Sequence, residues 1–365
     1  MVFAWRSVVV ATLAAVSGLG ACDLCSMSSA TEVSAEPTLP VSPLASAVLG
    51  AMAAGAAPTP AEPTPPTVAS EPSPLSRLTV GLLLDARHAS TLAVDGRTVG
   101  DPADQRLDTA VAQLMVAWRF TPTWSARVYL PFIHRRWEVS GVSGWYQGNG
   151  DAVVEGMATR QARRDARHFA VGNLFAGLKL PTGASERLAD ERHDAASADD
   201  GGGHSHGGEA VSADGLHDAL HPHDLALGSR SWDPIVGASG FLRWGRFYLT
   251  GHGQYVLRTE GDHGYRYGSG GMFGAGPGAF LIDRATGTLG LHLNVSGELN
   301  ERDRHRGVLV EDSGMREITA GPDLTFSWRN RVTGEIGVEL PVWRDSPGAH
   351  LATNLRGHAG VSVRF

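Results

Sequence analysis

Six histidines stand within one acidic stretch of the chain: His193, His204, His206, His217, His221 and His223, interspersed with Glu186, Asp190, Glu191, Asp194, Asp214, Asp218 and Asp224. His204-Ser205-His206 and His221-Pro222-His223 each set two imidazoles two residues apart. In an extended segment such a pair projects to the same side. Neutral imidazole with carboxylate is the donor set of Zn²⁺, Cu²⁺ or Ni²⁺. The glycines at 201 to 203, 207 and 208 loosen the segment. Ordering it on a metal costs entropy and displaces protons, so capture there would be weak, promiscuous and pH-dependent. The competing reading is a solvating surface loop that holds no ligand.

The other reactive group is Cys22-Asp23-Leu24-Cys25, which contains both cysteines of the chain. Such a pair can be a redox couple, half a metal site or a disulfide. Ser26 stands where c-type haem attachment needs His, and a four-thiolate zinc site lacks two thiols. The pair follows Arg6 and an apolar run, Val8 to Leu19, too short to span a bilayer, so residues 1–21 read as a secretory signal. Leu19-Gly20-Ala21-Cys22 is similar to a bacterial lipobox, which implies lipidation of Cys22 and leaves Cys25 a spare thiol. Cleavage without lipid is the alternative.

What must position any of this chemistry is a set of strands. In the last stretch Leu355, Gly357, Ala359, Val361, Val363 and Phe365 share one parity, and Asn354, Arg356, His358, Ser362 and Arg364 the other. Leu289, Leu291, Leu293, Val295 and Leu299 alternate with His292, Asn294, Ser296 and Glu298, and Ile318, Leu324, Phe326 and Trp328 with Glu317, Thr319, Asp323 and Ser327. Period-two strands of about ten residues, with charges on one face and an apolar band on the other, fit an all-β transmembrane antiparallel β-barrel with lipid outside and a polar lumen inside. No run of eighteen apolar residues exists, which excludes a helical membrane protein.

The parity assigns Arg127, Lys179, His252, His292, Glu298, Glu335, Arg356 and His358 to the lumen, with Asp85, Arg87, Arg135, Arg243, Arg258 and Glu339 on the same side. Such groups form a selectivity constriction or pair across a narrow barrel as a plug. A soluble β-sandwich would also alternate, but its charges would merely face solvent. Trp118, Trp124, Trp232, Trp244 and Trp328 fall on the outer parity as interfacial girdles.

Ahead of the strands, residues 22–75 carry ten of the twenty prolines without periodicity, a disordered linker. The barrel occupies 76–365. Short turns at Pro122, Gly245, Ala285 to Gly287 and Asn330 alternate with long polar loops at 88–105, 181–229, 259–265 and 301–314. A strand at Asn149 to Gln161, turning at Arg163 to Arg167, makes the count even at twelve, with both barrel ends periplasmic and the histidine-rich loop extracellular. The net charge of −7 and the absence of a basic face exclude nucleic acid as a partner. Membrane lipid and a small-molecule or ion permeant are the partners expected.

Gly148-Asn149-Gly150-Asp151, then Gly177-Leu178-Lys179-Leu180-Pro181-Thr182-Gly183, then Gly228-Ser229-Arg230-Ser231-Trp232-Asp233, with Leu130-Pro131-Phe132, together resemble the outer-membrane "meta-pathway of phenol degradation" transporters over residues 78–365. The resemblance implies a barrel in the bacterial outer membrane that passes hydrophobic or aromatic compounds. The histidine-rich insert and the Cys-Asp-Leu-Cys depart from that pattern.

The function expected is therefore a non-enzymatic pore for small solutes or metal ions. One alternative is an outer-membrane enzyme of phospholipase type, which needs a Ser and a His on the lipid-facing wall, and the strand parity yields no such pair. The other is a barrel sheath for electron-transfer partners, suggested by the two cysteines.

Overall fold

The computed structural model describes residues 74–163, 165, 167–189, 220–310, 313–329 and 331–365. The signal segment, Cys22, Cys25, the linker up to residue 73, and His193, His204, His206 and His217 lie outside the described residues.

Thirteen long strands follow one another: β1 (Leu78–Val94), β2 (Arg106–Arg119), β3 (Trp124–Val139), β4 (Val142–Asn149), β5 (Val153–Arg163), β6 (His168–Lys179), β7 (Asp233–Trp244), β8 (Phe247–Val256), β9 (Gly270–Arg284), β10 (Gly287–Asn300), β11 (Arg316–Trp328), β12 (Val332–Asp345) and β13 (Ala349–Arg364). Each pairs antiparallel with its sequence neighbours, and β4 and β5 are the upper and lower parts of one stave, both lying against β3. The ring closes where β13 meets β1, from Thr79 opposite Arg364 to Val94 opposite Ala349. Twelve staves result, as the alternation predicts.

The burial pattern is inverted relative to a soluble protein. Along β10, Leu293 is 53% exposed while Asn294 beside it is 3% exposed, and the alternation continues through Leu291 and Val295 outside, His292 and Ser296 inside. On β11, Leu324, Phe326 and Trp328 are exposed and Asp323, Thr325 and Ser327 buried. Apolar side chains facing outward around a closed ring are stable only against lipid, because hydrocarbon solvates them and closure leaves no ladder edge to satisfy. Trp124, Trp244, Trp328, Phe120, Phe247 and Phe365 stand exposed at the short-turn end, an aromatic girdle. The protein is an outer-membrane β-barrel.

Two boundaries differ from the sequence reading. The first outer loop runs 95–105 rather than 88–105, because β1 extends to Val94 and turns at Asp95-Gly96, both with positive φ (49° and 74°). The stave expected at Asn149 to Gln161 is broken at Gly150-Asp151-Ala152: Phe132 pairs with Asn149 and Tyr129 with Val153, so three residues oppose two on β3. That bulge rotates the Asp151 carboxylate inward.

Candidate functional site

The inner wall has two characters. On the side of β1 to β8 the midsection is apolar, with Leu83, Met115, Tyr129, Val153, Ile235 and Val256 packed together and Phe175 against them. Arg127 enters this region paired to Glu155 at 3.1 Å and lies over the Tyr129 and Phe175 rings at 5.8 and 5.7 Å. On the side of β10 to β13, joined by Asp85 and Arg87 of β1, the interior is ionic. Arg87 joins Asp85 at 3.0 Å and Glu298 at 2.9 Å, and Arg356 joins Asp85 at 2.9 Å and Glu298 at 3.5 Å. Glu298 is on β10, three staves from β13, so these pairs form a strut along a chord of the lumen. Glu339 accepts from Asn294, Ser296 and Thr319 at 2.6 to 2.7 Å.

Next to the strut, Asp323 lies between two imidazoles. His358 Nε2 is 3.1 Å from one carboxylate oxygen and His292 Nδ1 3.3 Å from the other. His292 Nε2 then meets the Thr250 hydroxyl at 2.8 Å. The order hydroxyl, imidazole, carboxylate is that of a nucleophilic triad, but the second imidazole claims the remaining carboxylate oxygen, and all four side chains are buried in the wall. The arrangement brings polar groups of β8, β10, β11 and β13 together.

At the outer rim the three motifs of the sequence converge. Lys179, the last residue of β6, reaches Asp151 at 3.0 Å, Asp233 at 2.8 Å and Ser231 at 2.9 Å, and also bonds the Ser229 hydroxyl. Asp151 accepts the backbone N–H groups of Gly183 at 2.6 Å and Ser229 at 2.9 Å. Asp233 additionally receives Arg258 at 3.1 Å and the Thr259 N–H at 2.8 Å. Gly183 and Gly228 are required by contact: a Cβ on Gly183 would sit 2.8 Å from the Asp151 nitrogen, and one on Gly228 2.7 Å from the Gly183 Cα. Both ends of the long outer loop are thereby bound to the bulge in the wall. The geometry gives Asp151, Lys179 and Asp233 a shared task that neither spacing nor periodicity predicts; their place in the three glycine-containing motifs is the signal the sequence carries.

From this staple the loop ends fold over the mouth. Leu227 packs on Val111 and Ile133, and Leu220 and Leu225 on Leu92, Leu107 and Leu351. Leu188 and Ala226 meet Tyr265 and Tyr267 from the next outer loop. Arg135, inside the barrel, donates to the Asp224 carbonyl. His221 and His223 therefore lie not in an extended segment but at a turn of helix, α1 (Pro222–Leu225). Their rings stack in parallel 5.2 Å apart, and His223 stacks in turn on Tyr265. Parallel stacking directs the two imidazole edges side by side rather than toward one ion. Among the described residues no group of three His, Cys, Asp or Glu side chains has metal-binding geometry. In the same cap, burial pushes the Asp303 carboxyl above its ordinary range, offset by His223, by the Tyr265 hydroxyl at 2.6 Å and by the Gly268 N–H at 2.7 Å.

Of the eight lumen residues named from parity, Arg127, Lys179, His292, Glu298, Glu335 and His358 are buried on the inner face, with Arg356 and His252 partly so. The structure brings Arg356 and Glu298 into one strut, and His292 and His358 onto one carboxylate. It sets Arg127 apart on the apolar side and Lys179 in the rim staple, and His252 lies over Gly274 of β9. Sequence reasoning put Asp323 and Glu317 on the polar parity without singling them out, and missed Thr250, which parity also turns inward.

No protein-family profile and no curated protein sequence matches the chain. Among solved structures it is similar to an outer membrane channel from Pseudomonas putida F1, at TM-score 0.53 and 12% identity over 83% of this chain and 100% of that one. The β domain of the Bordetella autotransporter BrkA (TM-score 0.41, 10% identity, 78% of this chain and 99% of that one) is a more distant likeness. So is the KdgM porin in complex with disordered oligogalacturonate (TM-score 0.33, 9% identity, 79% and 99%). At these identities the first likeness speaks to the barrel fold.

Proposed function

We propose that the protein is a gated outer-membrane channel for small solutes. The observation that carries this reading is the construction of the mouth. The closure there is made by loop segments, 184–189 and 220–231, that are held to the wall by the ionic staple, by Arg135 on the Asp224 carbonyl and by packing of Leu220, Leu225 and Leu227, rather than by the wall itself. A barrel that served only as a rigid shell would need no separable cap. Beneath the cap, one apolar and one ionic inner face offer a solute both surfaces to pass along, consistent with hydrophobic or aromatic permeants. The barrel's likeness to the P. putida channel supports the same reading.

The histidine-rich part of the loop, with His193, His204, His206 and His217, is the natural place for Zn²⁺, Cu²⁺ or Ni²⁺ to act on the gate. Residues 1–21 serve as an export signal and 22–75 as a tether, lipid-anchored at Cys22.

Planar-bilayer recording of the refolded full chain tests the reading. Closed-state baseline with brief openings is expected, and sustained conductance is expected once Lys179→Met frees the cap. Silence of both proteins would exclude a channel. Micromolar Zn²⁺ or Cu²⁺ should alter opening frequency, and indifference to both would remove the metal from the scheme.

A further inference from the structure

Inside this barrel the rule for cations is pairing. Arg87, Arg127, Lys179, Arg243, Arg258 and Arg356 each hold a carboxylate at 2.6 to 3.1 Å. Arg119 and Arg331 break the rule: neither has a carboxylate within ion-pair reach among the described residues. Both stand at the short-turn mouth, the periplasmic end of such a barrel. Arg119 closes β2 on the inward parity of Gln113 and Met115, both buried, while Leu114 and Phe120 of the other parity are exposed to lipid. Arg364 closes β13 on the parity of buried Ser362, and its N–H donates to the Arg331 carbonyl at 2.8 Å. Arg331 precedes β12, two residues below buried Thr333.

The three guanidinium groups belong together. Thr79 of β1 pairs with Arg364 on one side and with Ala117 on the other, so Arg364 and Arg119 flank β1, roughly 10 Å apart across two inter-strand spacings. Arg364 lies within electrostatic reach of both Arg119 and Arg331. The polar side chains beside them are neutral: Ser125 opposite Arg119, and Thr333 joined to Ser362 at 2.8 Å. Glu335, the next inward carboxylate on β12, is four residues above Arg331, about 13 Å along the strand. Arg77, Arg246, Arg284 and Arg329 stand exposed at the same end and strengthen the field. Like charges gathered in a low-dielectric mouth repel one another and draw a counter-ion, and arginines lining a pore are a means of taking anions. Across the ring, β6 to β9 present Phe169, Phe241, Tyr248 and Phe280, packed together. Arg243 on that side lies over the Phe280 ring at 4.4 Å and is neutralised by Asp283 at 2.6 Å.

We propose that Arg119, Arg331 and Arg364 form an anion site at the periplasmic mouth of the lumen, which takes the carboxylate of small organic acids. A guanidinium fork matches a planar carboxylate with two parallel hydrogen bonds, and the ring-lined arc opposite suits an organic body better than an inorganic ion. The inference rests on the channel reading for the route, and adds the charge of the solute and the place where it is held.

Two measurements on the refolded full chain test it. Calorimetry in detergent micelles with benzoate, and with its neutral isostere benzamide, reads the site directly. Saturable benzoate binding is expected, at least about tenfold tighter than benzamide, since charge-assisted hydrogen bonds are roughly twice as strong as neutral ones. Arg119→Gln with Arg331→Gln should remove that preference. Arg119→Lys with Arg331→Lys, which keeps the charge and loses the fork, should keep part of it. In planar bilayers under a potassium chloride gradient, the reversal potential should report an excess of anion current that the glutamine pair abolishes and the lysine pair retains. Equal binding of benzoate and benzamide, or a preference that survives the glutamine pair, overturns the site, and conductance in the same protein leaves the channel standing. Benzoate binding without conductance keeps the site and overturns the channel. Neither binding nor conductance overturns both.

Discussion

The wall departs from a regular ladder twice on its outer half, and the two departures are built in opposite ways. At Gly150-Asp151-Ala152 the break is surrounded by charge: Lys179 and Arg258 on one side, Asp151 and Asp233 on the other, with Ser229, Ser231 and two backbone N–H groups filling the remaining hydrogen-bonding positions. Above Glu339 the ladder between β12 and β13 ends, and Arg344 donates to the Thr353 carbonyl across the break. A buried ion pair gives little net stability over an apolar core, but losing one member is expensive because the other charge stays buried. The first site is therefore all-or-none. The second is held by a hydrogen bond to a backbone carbonyl, where a lost donor leaves no buried charge stranded.

The sharpest way to break this contrast is Lys179→Met, which leaves the buried Asp151 carboxylate without its cation and Asp233 with Arg258 alone. It should destabilise the barrel by about 3–5 kcal/mol, read as a lowered urea midpoint in detergent micelles. The double variant with Asp151→Asn should recover part of that loss, and a loss unchanged by the second substitution would detach the two residues. Next in size, Gly183→Val drives a side chain into the Asp151 backbone and should cost about 1–3 kcal/mol by the same measurement. Arg344→Ala, at the other break, should cost only about 1 kcal/mol, the value of one hydrogen bond. An effect as large as that of Lys179→Met would erase the difference between the two sites.

The smallest effect concerns pH. Because burial raises the Asp303 carboxyl in the folded cap, the folded state binds that proton more tightly than the unfolded chain. The cap is then most stable below the ordinary carboxylate range and loses stability as pH rises through the raised value. Protease nicking in the 301–315 loop should grow over that interval in the native protein, and Asp303→Asn should flatten the dependence.

The staves were legible because alternation is a property of each strand alone: Leu291, His292, Leu293 and Asn294 state their sides without reference to anything distant. Lys179 illustrates the limit. Parity turns it inward correctly, but its partners come from a bulge at 151 and a loop end at 229–233, and only the fold decides that they meet. Asp323 was passed over because one carboxylate among many inward polar residues carries no mark until two imidazoles converge on it. The His221-Pro222-His223 pair misled for a local reason. Proline at the first position of a helical turn favours α1, and packing of Leu225 and Leu227 into the barrel holds it there. The end of the β12–β13 ladder at Glu339 could not be read at all from alternation, since bulges at Val342 and Asn354 preserve the composition of each strand while shifting what it faces.

The junction of β1 with β13 bears on how the molecule comes into being. Every other neighbouring pair joins staves adjacent in sequence, and their hairpins can zip as soon as both arms exist. The seal between Thr79 and Arg364 has to wait for the entire intervening chain, so the slow step of assembly is a single late encounter between the first stave and the last. Until it happens β1 presents a bare edge, the condition in which strands aggregate. Removing β13 should therefore yield not a smaller barrel but an insoluble one.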